Sequence, residues 1–187
     1  MNKEFDWKVL AVLSVLLVGI GSRIFPHPMN FTPIGALALL GGAYMGRNVL
    51  ALLVPVMIFW LSDLVLNNTV YAAYNEGFVW FSNSTIWASI AIVTVALMGS
   101  KFLQKVSFKG VAAGSIASAV IFFFLTNLGT WLSGMIYPMD LAGLTACFAA
   151  GLYPFFLNTL LSNLIFGLIL FGLFEYGFQR KVQLARA

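Results

Sequence analysis

The sequence predicts an all-α integral membrane protein, with about six transmembrane helices in one bundle and both termini cytoplasmic. Three observations carry this expectation. Of 187 residues, 61% are hydrophobic and only 9% charged, against about a quarter charged in an average soluble domain. The apolar residues gather into runs suited to crossing about 30 Å of hydrocarbon. The basic residues also sort by position. Lys3 and Lys8 precede the first run, Arg47 separates the second and third, Lys101, Lys105 and Lys109 separate the fourth and fifth, and Arg180, Lys181 and Arg186 follow the last. Only Arg23 falls in a gap of the other parity. Cytoplasmic loops retain Lys and Arg, so this sorting implies an even number of crossings and a multi-pass protein of the bacterial cytoplasmic (inner) membrane.

The first run, Trp7 to Ser22, is near the lower length limit for a span and reads as retained, not as a cleaved secretory signal. The next stretch, Arg23 to Pro33, holds Pro26, Pro28 and Pro33. Each proline removes a backbone donor and disfavours helix in the residue before it, so a continuous helix is forbidden there. Pro33 suits the first turn of the following helix, with Thr32 as its cap. The second run, Ile34 to Met45, is short and rich in small residues. The third, Val49 to Leu66, contains Pro55 and carries Asp63 near its outer end.

A polar connection from Asn67 to Asn83 leads to the fourth run, Thr85 to Ser100. The fifth runs from Gly110 to about Leu128. Leu141 to Tyr176 would measure roughly 54 Å as one straight helix, too long for a single crossing. Pro154 interrupts it, leaving two readings: a short outer or partly inserted helix followed by one span, or two spans. Two spans would place the terminal basic cluster outside, so the first is expected. Residues 1–187 then form a single transmembrane domain, with no connection long enough for a soluble one.

Composition also excludes function classes. The net charge of +4 is dispersed over short segments, which suits anionic lipid and not nucleic acid. With one cysteine, Cys147, there is no intrachain disulfide and no cysteine-based zinc cluster. One histidine supports neither a Ser/His/Asp set nor a metal site, so no enzyme, cofactor or metal is expected. Gly41 to Asn48 loosely follows a phosphate loop, but Arg47 and Asn48 replace the Lys and Ser/Thr that bind phosphate and Mg²⁺.

The groups able to bind a ligand lie on the outer side. The stretch Pro26 to Pro33 reads as a rigid strap presenting Arg23, His27 and Asn30, or as a re-entrant turn that satisfies its own backbone. Asp63, an ionisable group on an apolar helix, needs a cavity or a partner, and Arg23 is the candidate. Tyr71, Tyr74, Trp80, Trp131 and Tyr137 can wall a pocket, although aromatic residues also populate any membrane interface. Asn127 joins them from the third outer loop. The stripes Ala38/Gly42/Gly46 and Gly110/Gly114/Ser118 allow close helix approach, within the chain or against another membrane subunit.

The runs Pro28 to Ala36, Ser62 to Leu64, Thr126 to Pro138 and Tyr153 to Asn158 resemble an uncharacterised bacterial integral-membrane family grouped with transport proteins. The layout is also similar to that of the S components of energy-coupling-factor vitamin transporters. Those are six-helix proteins with both ends inside and a ligand site under the first, third and fifth loops, here residues 23–33, 67–83 and 129–140. The first run lacks the alanine-rich docking motif common in S components. These resemblances imply transport of a small, vitamin-like substrate, with the lipid bilayer and an energising ATPase/transmembrane module as partners. The alternative is a structural or assembly subunit of a larger membrane complex.

Overall fold

The computed structural model describes the backbone of residues 7–184 and the side chains of residues 15–177. Lys3 and Arg186, and the side chains of Lys8, Arg180 and Lys181, lie outside that description. Among the described residues seven α-helices follow one another: α1 (Trp7–Ile24), α2 (Ile34–Met45), α3 (Val49–Asn68), α4 (Asn83–Phe102), α5 (Phe108–Leu132), α6 (Leu141–Gly151) and α7 (Leu157–Leu184). A 3-10 turn at Ala72–Tyr74 lies between α3 and α4, and a wide π-type turn at Leu152–Phe156 joins α6 to α7. Four helical stretches, Val49–Asn68, Asn83–Phe102, Phe108–Leu132 and Leu141–Gly177, are long and apolar enough to cross a membrane. The chain is thus built as a multi-pass membrane bundle.

Local chemistry explains most of the boundaries. Asn48, Ser82, Ser107 and Asp140 cap α3, α4, α5 and α6, each accepting a hydrogen bond from a first-turn backbone N–H. Ser82 and Thr85 form a reciprocal capping box, so α4 begins at Asn83, two residues before the expected Thr85. The start of α2 departs from expectation. Pro33 itself occupies the cap position, with no side-chain cap, and Thr32 does not fill that role. Its carbonyl instead receives the Leu37 N–H at 2.9 Å. At the other end Gly46 adopts φ 62° and returns its N–H to the Gly42 carbonyl at 3.0 Å, closing the helix.

Contacts between helices fix their directions. Gly19 on α1 faces Ile58 on α3, and Arg23 meets Phe59 and Ser62, so these helices run parallel. Gly35 on α2 faces Asn163 on α7, while Tyr44 reaches Glu175, so α2 and α7 also run parallel. Phe123 on α5 meets Phe148 and Phe156, and Ser115 lies against Gly167. The segment from α6 to α7 therefore descends along α5 without reversing. Its helical geometry breaks at Tyr153 (φ −128°, ψ 129°), just before Pro154. A short helix, a break at Pro154 and one long helix is the first of the two arrangements weighed for this segment.

These directions give the bundle two chemically distinct ends. Arg47 and Lys105 in the connections, with Lys101 in the last turn of α4 and Lys109 in the first turn of α5, mark one end, here the basic end. Arg23, the 67–83 connection and the start of α6 gather at the other, the aromatic end. The core between them contains Ala38, Leu39, Ile58, Ile92, Val95 and Ala96. In lipid no hydrophobic drive separates helix from hydrocarbon, so close backbone approach and dispersion hold such cores together. α2 and α4 show this best: Gly42 lies directly against the Ala96 carbonyl, and a Cβ on Gly99 would come within 2.6 Å of the Leu39 carbonyl oxygen. Gly114 packs on Leu39 and Leu103. Gly42 and Gly114, one from each small-residue stripe, thus serve packing within the chain.

Two glycine substitutions should therefore act in opposite directions. Gly42→Ala forces α2 off α4 and should cost about 1–3 kcal/mol, the usual range for overpacking. Gly172→Ala, where a Cβ would meet nothing within 4 Å, should be neutral or stabilise α7 by up to about 1 kcal/mol. Thermal unfolding of both variants in mild detergent tests the pair, and a Gly42→Ala protein as stable as the parent would refute the α2–α4 contact.

Candidate functional site: a polar cavity at the aromatic end

α2 begins well inside the bundle, and the strap before it, residues 25–33, dips inward to meet it. Proline spacing prevents helix here, and short-range bonds shape the backbone instead. Phe31 N–H reaches the Pro28 carbonyl at 2.9 Å, and Thr32 N–H reaches that of Asn30 at 3.1 Å. Asn30 takes φ 61°, a left-handed conformation that asparagine tolerates better than most residues. Two contacts pin the strap to α7: Asn158 Nδ2 donates to the Met29 carbonyl at 2.9 Å, and the Phe31 and Phe166 rings lie 5.6 Å apart.

Beneath and beside the strap is a cavity of about 390 Å³, within the range of small-molecule sites. Ile34, Phe59, Ile92, Val95, Phe122 and Phe155 supply apolar wall. Polar wall comes from Arg23, His27, Asn30, Thr32, Ser118, Thr159, Ser162 and Asn163. Thr159, Ser162 and Asn163 occupy one face of α7 through i, i+3, i+4 spacing, and Ser118 stands on α5. All four are buried, Asn163 to 2% exposure.

Arg23 enters this wall already engaged. Nη1 donates to the Phe59 carbonyl at 3.0 Å and to Ser62 Oγ at 2.8 Å, and the guanidinium carbon lies 3.9 Å from the Phe59 ring centroid. Nη2 is 3.7 Å from Asp63 Oδ1. Asp63 lies behind the wall, where Oδ2 accepts from Asn67 Nδ2 at 3.2 Å, Ser82 Oγ at 2.9 Å and the Thr85 hydroxyl. The pair links α1, α3 and the α4 cap. Asn163 contrasts sharply: its Nδ2 has no hydrogen-bond partner, and its amide fills the space left by Gly35.

Of the residues expected to bind a ligand, Arg23, His27, Asn30 and Tyr71 line the cavity. His27 Nδ1 donates to the Phe25 carbonyl at 2.7 Å, which in the neutral ring leaves Nε2 as an acceptor. Asp63 acts through Arg23. The other five lie elsewhere. Tyr74 is 86% exposed, and the Trp80 ring lies 4.8 Å from that of Phe78, tilted by 60°, while its carbonyl accepts from Trp60 Nε1 at 3.0 Å. Trp131 Nε1 donates to the Pro138 carbonyl at 3.0 Å, and Tyr137 is half-buried in the α5–α6 connection. Asn127 donates to the Phe123 carbonyl at 2.8 Å and packs against Gly151 of α6, with the buried Cys147 thiol against its own carbonyl. Conversely, Thr159, Ser162 and Asn163 carry no expectation from the sequence, and Ser118 figures there only in a stripe for close helix packing. Polar side chains at helical spacing in an apolar run were the available signal. Among the described residues, no three His, Cys, Asp or Glu side chains converge to hold a metal ion.

The unequal partnering of Arg23 and Asp63 gives a directional expectation. Asp63→Leu leaves a buried guanidinium without its counter-charge and should cost about 3–5 kcal/mol, as for other broken buried pairs. Arg23→Met should cost less, because three donors still satisfy the carboxylate. Unfolding of the two single variants and the double variant tests this, and an equal loss in both singles would count against it. No characterised protein and no solved structure matches the chain significantly. The sequence pattern of one family does match, over residues 3–185, and the chain belongs to that family of unknown function, DUF6580.

Proposed function

We propose that this chain is a bacterial inner-membrane transport protein that binds a small molecule in the cavity at its aromatic end and helps it cross. The observation carrying this reading is the cavity of about 390 Å³ walled by buried polar groups, one of them, Asn163, without a partner. A buried amide without a partner costs about 1–3 kcal/mol, so Asn163 calls for a partner from outside the protein. A second unpartnered buried atom, Ser115 Oγ, continues the polar face of α5 toward the basic end, where it meets Gly167. Below that seam a depression of about 330 Å³ opens between α5 and α7, bounded by Val111, Phe171 and Glu175. Polar groups along one helix seam between two recesses suit passage better than a purely mechanical role.

The Lys/Arg sorting supports a cytoplasmic basic end and an outward-facing cavity mouth. No nucleotide-binding pattern occurs in the sequence, so energy would come from a separate ATPase/transmembrane module, from an ion or from the substrate gradient. The likeness to S components rests on loop layout alone. An assembly subunit is the second reading, favoured by the exposed tips Tyr74, Met135 and Ile136 at the aromatic end. It predicts a stoichiometric protein partner in mild detergent.

Two measurements test the proposal. Native mass spectrometry of gently purified protein should show a small-molecule adduct. Thr159→Phe, which drives a ring into the cavity, should lower its occupancy at least about tenfold, equivalent to 1.4 kcal/mol; an adduct unaffected by that change would place the ligand elsewhere. Separately, in a Cys147→Ser background, a membrane-impermeant maleimide on intact cells should label Tyr74→Cys and spare Arg47→Cys. The reverse pattern would turn the cavity toward the cytoplasm.

A further inference from the structure

We infer that the cavity takes a small carboxylate, docked through its two oxygens on the open edge of the Arg23 guanidinium. This rests on the proposed binding role and deepens it. A guanidinium presents its five N–H groups in a fixed fork, and Nε–H and one N–H of Nη2 point the same way along one edge. In Arg23 the nitrogen off that edge, Nη1, is the one already used, by the Phe59 carbonyl and Ser62 Oγ. Nη2 stands 3.7 Å from Asp63 Oδ1, close enough to share charge but beyond hydrogen-bond reach. Among the described residues neither Nε nor Nη2 has a hydrogen-bond partner, and neither is closed off from solvent as the unpartnered atoms Ser115 Oγ and Asn163 Nδ2 are. The side chain keeps 15% exposure and lines the cavity. Two parallel donors on a planar cation match the two oxygens of a carboxylate, a pairing that is both strong and directional.

The neighbouring wall suits the same head group. Asn30, Thr32 and Tyr71 also line the cavity, and among the described residues their amide and hydroxyl groups make no hydrogen bond, so each can donate to an anion. His27 Nε2 offers a lone pair while the ring is neutral and a further donor once it is protonated. The α5 and α7 walls differ. Ser118, Thr159 and Ser162 give their hydroxyl protons to carbonyls of their own helices at 2.7, 2.9 and 3.0 Å, so an anion gains little from them. Asp63 is not on the cavity wall and balances Arg23 without covering the open edge. Because Asp63 already draws on that charge, the edge suits a single negative charge; a phosphate dianion would double the repulsion from Asp63. Phe59, Phe122 and Phe155 supply apolar wall for the rest of such a molecule.

Thiol protection with three probes of similar shape, benzoate, benzamide and benzylamine, tests the carboxylate class. Benzamide keeps the ring and one oxygen but puts N–H groups where the second oxygen would stand. The protein carries Leu66→Cys in a Cys147→Ser background; Leu66 is partly buried on the cavity wall, one helical turn beyond Ser62. Labelling by neutral methyl methanethiosulfonate is timed. At about 10 mM, benzoate binding with a dissociation constant of about 1 mM should slow labelling about tenfold, whereas benzamide and benzylamine should slow it less than about twofold. Arg23→Lys keeps a charge beside Asp63 but loses the fork, and should cut the benzoate effect to less than about twofold. Cooperative thermal unfolding of that variant separates loss of the edge from loss of the fold, and Arg23→Met takes its place should it not fold. No slowing by benzoate, equal slowing by either other probe, or benzoate selectivity that survives both Arg23 changes would overturn the carboxylate class and leave the cavity standing. A thiol at position 66 that never labels would overturn the cavity reading itself.

Discussion

The contact between Arg23 and Asp63 organises the aromatic end of this bundle. It places opposite charges from α1 and α3 beside each other, each largely withdrawn from solvent, with 15% and 10% side-chain exposure. An isolated ion there would be costly, and the pair is tolerable because Asp63 also accepts three hydrogen bonds and Arg23 Nη1 makes two. Asp63 accepts from both hydroxyls of the Ser82–Thr85 capping box, so one carboxylate faces Arg23 and anchors the start of α4. Arg23 in turn spans from α1 to the backbone of α3. Three helices thereby take a common register at the level where the cavity opens. The same contact neutralises the arginine on the cavity wall.

That neutrality changes how the sequence should be understood. A lone arginine on the outer side invites the idea of an anion site. In the folded chain Nη1 is spent on Ser62 and the Phe59 carbonyl and Nη2 lies 3.7 Å from Asp63, so the charge is already partnered. The fully buried polar wall beyond it consists of residues with no formal charge: Ser118, Thr159, Ser162 and Asn163. Asn163 stands out among them because its amide is packed against Gly35 yet hydrogen-bonded to nothing.

How much of this was legible beforehand follows from which forces act locally. Helix positions were readable because apolar length and basic punctuation are properties of single segments; α2 runs from Ile34 to Met45 as expected, α1, α3, α4 and α5 extend at most four residues past their expected ends, and α7 continues to Leu184, eight past Tyr176. The Arg23 to Asp63 pairing was readable because few ionisable groups occupied that side. Thr32 failed as a cap because the strap descends into the bundle and Pro33 takes the position itself. The polar face of α7 escaped notice because three small polar residues barely alter the apolar average of a long run. Their meaning depends on α5 and α2 coming alongside, a tertiary fact. Tyr74 and Trp80 attracted attention by type, although an aromatic residue at an interface needs no ligand to explain it.

The cavity itself follows from a shortfall in length. α2 has 12 residues and so rises only about 18 Å, well short of the 30 Å of hydrocarbon. The remaining depth must be crossed by the proline-interrupted strap, whose backbone cannot satisfy itself as a helix would. Irregular backbone at membrane depth survives only where protein or water covers it. Asn158 covers the Met29 carbonyl, and the turn bonds at Pro28 and Asn30 cover two more. What remains is space beside the strap, above the first turn of α2, that no helix fills. A full-length second helix would occupy that space and bury Asn163 against apolar side chains. The short helix and the unpartnered amide are therefore two aspects of one arrangement: the chain forgoes helical packing at the point where it keeps a polar group ready.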